Sequence, residues 1–187
     1  MSIKTLVRHD DDGCTERRPE CLVTPSGIYM EPETSSVIIG SDHAAFALKE
    51  TLKIFIEQKN IAVTDVGPHS ADAVDYPDYA FLVAGAVSSG KYNRGILLCG
   101  TGLGMSMAAN KFPRVRAALC NDLFSAIMSR RHNDANILVM GGRVIGDVLA
   151  KEIVSTWMET PFEGGRHQRR LDKFDDMGCP LNGLGIL

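Results

Sequence analysis

No two cysteines in this chain lie at C-x-x-C spacing, no apolar run is long enough to span a bilayer, and positive charge is not in excess. Each absence removes a class of function. The five cysteines, Cys14, Cys21, Cys99, Cys120 and Cys179, are odd in number and scattered. They read as free thiols in a reducing compartment rather than as a disulfide framework or a zinc site. A formal net charge of -3 offers no basic field to a nucleic acid. The start of the chain lacks the basic-then-apolar layout of a secretory signal, so a soluble, cytoplasmic protein with no membrane partner is expected. The acidic run Asp10-Asp11-Asp12 argues in addition against a mitochondrial presequence. What is present is a 44% hydrophobic chain of 187 residues, enough for one good core.

That core is expected over residues 36–176. Residues 1–35 mix charges with three prolines and show no sustained period, which reads as a polar N-terminal extension. Residues 177–187 read as a C-terminal tail. In between, short apolar runs alternate with amphipathic ones. Strands are predicted at 37–40 (VIIG), 61–67 (IAVTDVG), 95–100 (GILLCG), 116–120 (RAALC) and 137–142 (ILVMGG). A helix is predicted over 44–58, where Leu48, Leu52, Phe55 and Ile56 share one face. Alternating strands and helices with Val/Ile/Leu-rich strands predict an α/β fold, a doubly wound, Rossmann-like, five-stranded parallel sheet with helices on both faces.

Ligands of such sheets bind beyond the carboxyl ends of the strands. The first strand ends in Asp42 and His43, the third in Cys99 and Thr101, and the fifth in Arg143. The fourth leads to His132 and Asn133. These groups are expected on one rim of the sheet. The glycines Gly100, Gly102 and Gly104 match neither the dinucleotide nor the ATP fingerprint, which disfavours both cofactors. What remains is a tight turn entering a helix, with exposed N–H groups able to hold an oxyanion or phosphate. Cys99 at its mouth is placed to act as a base for a proton α to a carbonyl. From spacing alone it reads equally as a small buried apolar residue.

The histidines divide similarly. His9 and His69 lie in polar surroundings and read as surface residues; His132, beside Arg130 and Arg131, reads as a helix cap or as a proton carrier. Arg166 and Arg170 follow a Gly-Gly turn four residues apart, so on a helix both guanidinium groups share a face suited to phosphate. The plainer reading is a solvated charged helix paired with Asp172 and Asp175.

Taken together, SDHAAFALK, DYPDYA, GILLCGTGLGMSMAANK, SRRHNDANILVMGGRVIG and FEGGRHQRR resemble the ribose-5-phosphate isomerase B family, which includes galactose-6-phosphate isomerase subunits. The resemblance runs from about Val37 to Phe174, with the motifs in order. It implies an aldose-ketose isomerase of the non-oxidative pentose phosphate pathway, a homodimer with shared active sites, and in some members a tetramer. It also implies roles. His132 assists ring opening, with Asp42 near the sugar hydroxyls. Cys99 moves the proton between C2 and C1 through a cis-enediolate, and Thr101 assists the relay. Family members with a glutamate base lack this cysteine. Asn133 and the N–H groups of Gly100–Gly104 stabilise the enediolate, and Tyr76 lines the sugar site. His43, Arg143, Arg166, His167 and Arg170 hold the phosphate. No cofactor is implied, and the sequence offers no compact metal-ligand set. The alternatives are an allose or galactose 6-phosphate isomerase and, as a non-enzyme, a sugar-phosphate sensor.

Overall fold

The computed structural model describes residues 36–176; the extension expected at 1–35 and the tail at 177–187 lie outside the described residues. Five strands, β1 (Ser36–Ser41), β2 (Ala62–Asp65), β3 (Arg94–Cys99), β4 (Ala117–Leu119) and β5 (Ile137–Gly141), form one sheet. Its order is β2-β1-β3-β5-β4 and every neighbouring pair is parallel. The helices are α1 (Phe46–Glu57), α2 (Tyr76–Ser88), α3 (Leu103–Ala109), α4 (Leu123–Arg131), α5 (Asp147–Glu159) and α6 (Gln168–Asp176). The expected five-stranded α/β sheet is therefore present.

Alternation along the strands splits the core into two layers. Val37, Ile39, Ile96, Leu98, Leu138 and Met140 pack against Leu52 and Ile56 of α1, Ala126 of α4 and Trp157 of α5. Ile38, Leu97, Cys99, Ile137 and Val139 face the other way, against α2 and α3. The Cys99 side chain is thus delivered to the α2/α3 face by its place in the alternation. Trp157, the only tryptophan, is fully buried, with the Arg94 guanidinium 4.9 Å from its ring centre and that of Arg130 at 5.6 Å.

The predicted helix over 44–58 resolves into two pieces. A 3-10 turn, His43–Ala45, is capped by Asp42, and α1 follows from Phe46. The second strand is shorter than the predicted 61–67. It stops at Asp65, and Gly67 takes φ +102 ahead of Pro68, a conformation and a residue that cannot continue the ladder. Fully buried Lys49 of α1 bonds Asp65 at 2.5 Å, tying that helix to the end of β2.

Candidate active site

Beyond the carboxyl ends of β1, β3 and β5 the chain assembles one compact rim. Asp42 donates its N–H to the Leu98 carbonyl at 3.0 Å, which locks the end of β1 to β3. Its carboxylate accepts the Ala45 N–H at 3.2 Å, so a buried acid is held by the turn it caps. The Nδ1 of His43 accepts the Val74 N–H at 3.2 Å. The same nitrogen lies 3.3 Å from the Val74 carbonyl, so the backbone of residue 74 fixes the ring in either tautomer.

Cys99 is the last residue of β3 and is 5% exposed. The Gly102 N–H donates to its sulfur at 3.1 Å. Gly102 sits at φ +81, and a Cβ there would stand 2.3 Å from Leu119 Cδ1 and 3.1 Å from the Met140 carbonyl carbon. Only glycine supplies both the left-handed turn and the room. A Cβ on Gly104 would lie 2.6 Å from the Tyr76 ring, so that glycine is where α2 meets α3 and where the half-exposed tyrosine rests. Arg143 donates its N–H to the Gly100 carbonyl at 3.0 Å and lays its stem alongside Gly100. Thr101, exposed at the tip, accepts the Leu103 N–H at 3.4 Å. Cys99, Thr101, Asp42, His43, Tyr76, Gly100, Gly102, Gly104 and Arg143 are thus brought together.

The expected position of His132 and Asn133 on this rim is not what the structure shows. Helix α4 leaves the carboxyl end of β4 and returns to the amino end of β5, and His132 is its C-cap. The carbonyls of Asn133 and Asp134 accept from Arg116 Nε at 3.0 Å each, just ahead of β4. Both residues therefore lie at the opposite edge of the sheet, because the helix crosses it before reaching them.

There they meet the arginine segment. The His132 and His167 rings stack with centroids 4.2 Å apart and planes 6° apart. Arg166 Nε lies 3.3 Å from His167 Nε2 and donates to it, and the Arg170 N–H donates to the His167 carbonyl at 3.0 Å. Gly164 and Gly165, at φ +62 and +56, turn the chain back so that this contact is possible. Burial, then the charges of His132, Arg166 and Arg170, hold the His167 imidazole below its usual titration range against the opposing pull of Glu163.

Glu163 was not singled out by its sequence. Its Oε2 is 3.9 Å from His132 Nε2 and 3.7 Å from His167 Nε2. Its place four residues before His167, at the Gly-Gly turn, is the signal that could have found it. Donor atoms of His132, Glu163 and His167 all lie within 4.8 Å, a grouping not visible in the sequence. Arg131 Nε lies 3.7 Å from the Glu163 carboxylate and Arg166 Nε donates to His167 Nε2, which adds positive charge beside the group. The cluster is better suited to holding a proton than a cation. Among the described residues the other buried thiol, Cys120, is pushed up to about 11, chiefly by burial, and is inert at neutral pH.

The profile of the ribose/galactose isomerase family matches residues 37–174. Ribose-5-phosphate isomerase B of Escherichia coli is 46% identical over 136 residues, covering 73% of this chain and 91% of that one. D-erythrulose-4-phosphate isomerase of Pectobacterium atrosepticum is 45% identical over 140 residues, with 74% and 91% covered. The structure of a ribose 5-phosphate isomerase from Thermotoga maritima superposes with a TM-score of 0.74 at 53% identity, covering 76% of this chain and 98% of the other. With a matching profile over most of its length and relatives of this identity, the chain is an enzyme and belongs to the ribose/galactose isomerase family.

Proposed function

We propose that this enzyme interconverts D-ribose 5-phosphate and D-ribulose 5-phosphate in the non-oxidative pentose phosphate pathway, with Cys99 as the base. The observation that carries the reading is the Cys99 sulfur set under the Gly102 N–H at the mouth of a glycine turn. The sugar arrives as a furanose. Ring opening takes a proton from the C1 hydroxyl and returns one to the ring oxygen, and His132 carries it, with Asp42 ordering the hydroxyls. The Cys99 thiolate then removes the C2 proton. Charge builds on the oxygens of a cis-enediolate, held by the Gly100–Gly104 N–H groups and Asn133. The same sulfur returns the proton to C1, with Thr101 assisting the relay between oxygens. Tyr76 lines the sugar pocket, and His43, Arg143, Arg166, His167 and Arg170 hold the phosphate, the three arginines supplying the charge.

The two edges of one sheet cannot serve one substrate within a single chain. We therefore propose a homodimer whose sites pair the Cys99 rim of one chain with the His132 and Arg170 edge of its partner. Helices α3 and α4 flank the edge strand β4 and expose Leu103, Met107 and Phe124. A copy docked there about a two-fold axis perpendicular to the strands covers that surface and apposes opposite edges. Among the described residues no helix is long and apolar enough to cross a membrane. A cytoplasmic location fits this and the free thiols of Cys99 and Cys120.

A second reading, another sugar phosphate as the preferred substrate, draws on the relative named for erythrulose 4-phosphate and on the galactose members of the family. A coupled assay comparing ribose 5-phosphate with erythrulose 4-phosphate, allose 6-phosphate and galactose 6-phosphate decides. The highest kcat/KM belongs to ribose 5-phosphate if the first reading holds.

A further inference from the structure

We propose that Glu163 is a positioning residue for ring opening: its carboxylate, set against both rings of the stacked His132–His167 pair, orients His132 to carry the proton. This rests on the ring-opening role proposed above for His132. The geometry is specific. Glu163 donates its backbone N–H to the Arg131 carbonyl at 3.1 Å, so the residue is pinned to the last turn of α4, one position before His132. The Oε1 atom lies 3.7 Å from Arg131 Nε, and Oε2 is the oxygen near both histidines. One carboxylate thus faces two imidazoles whose planes are nearly parallel.

The two rings are not equivalent. His167 is buried and its Nε2 accepts from Arg166, which leaves that nitrogen without a proton to give. The His132 side chain is 38% exposed and open to solvent. The charged groups facing the pair are Arg131 from α4, Arg166 from the loop, Arg170 from α6, and Glu163 itself. Arg166 and Arg170 oppose a proton on His167, and Glu163 favours one. Where two titratable groups have unlike surroundings, their roles separate. Here the buried ring stays neutral as a stacking platform, and the exposed ring takes and returns the proton. The role proposed for Glu163 is exerted through His132, not on the sugar or the phosphate.

The test uses the full-length protein with Glu163→Gln and Glu163→Asp. In Glu163→Gln, kcat/KM for ribose 5-phosphate falls about tenfold, with the loss in kcat rather than KM. Exchange of the C1 protons of ribulose 5-phosphate with solvent deuterium, which needs no ring opening, changes less than about twofold. Histidine ring signals in NMR of the unliganded protein give a second readout: the pair's titration moves to lower pH by about half a unit or more without the carboxylate. Glu163→Asp keeps the charge and recovers most of both effects. Equal losses on the two substrates, or an unmoved histidine titration, overturn the proposal and make Glu163 a structural tether. If the unaltered protein fails to turn over ribose 5-phosphate, the ring-opening reading falls by itself. The histidine titrations still decide whether Glu163 governs the pair.

Discussion

The Gly102 N–H and the Cys99 sulfur, 3.1 Å apart across the glycine turn, connect the last residue of β3 to the N-cap of α3. The contact points a backbone dipole at the atom proposed to carry the proton. Cys99→Ala keeps the backbone and the phosphate groups while removing that atom. Isomerisation should fall at least about a thousandfold, with binding of a sugar phosphate changed by less than about threefold. Calorimetric titration and C2-proton exchange read the two separately. Exchange at the rate of the unaltered enzyme would remove Cys99 from the mechanism.

Gly102 itself is the second position to test. Gly102→Ala puts a Cβ in a left-handed residue, 2.3 Å from Leu119 Cδ1 and close to the Met140 carbonyl. The strain and the clash should cost about 1–3 kcal/mol of stability and displace the turn from Cys99. Thermal unfolding and kcat should both drop; an unchanged kcat would mean the turn does not hold the charge formed in the reaction.

His132 should separate ring opening from proton transfer. His132→Asn is expected to slow turnover of ribose 5-phosphate by about a hundredfold or more and to affect proton exchange of acyclic ribulose 5-phosphate much less. Equal losses in rapid-quench exchange for both substrates would assign His132 to the enediolate step.

His167 sets a pH dependence of stability. Burial and its cationic neighbours lower its titration in the fold relative to the unfolded chain, so the unfolded state takes up a proton first on acidification. The contribution is fully present above the ordinary histidine range and is lost as the pH falls from there through the folded-state value. Melting temperature should decline between pH 7.5 and 5, and His167→Gln should flatten that decline. An equally steep decline in the variant would show that other groups set it.

Strand positions were legible because Ile38, Leu97 and Val139 sit in short Val/Ile/Leu runs, the pattern of a sheet covered on both faces. The rim was legible for the same reason: Asp42 directly follows β1, Cys99 ends β3 and Arg143 comes two residues after the end of β5. His132 was placed on the wrong edge because a rule for strand ends was applied to a helix end. Helix α4, at about 1.5 Å per residue, carries His132 across the sheet. Glu163 was missed because its meaning comes from contacts with α4 and with His167, which the left-handed turn at Gly164 and Gly165 brings back beside it. No local period encodes that return.

The shared site is tested most directly by mixing two inactive variants, Cys99→Ala and Arg170→Ala, in one cell and purifying the mixed dimer. If each site takes Cys99 from one chain and Arg170 from the other, every mixed dimer holds one site lacking both groups and one intact. Random pairing makes about half of the dimers mixed, so the co-expressed pool should recover roughly a quarter of the activity of the unaltered enzyme. The purified mixed dimer should show about half. Mixed dimers no more active than either parent would contradict the account and return His132, His167 and Arg170 to a role outside the site of Cys99.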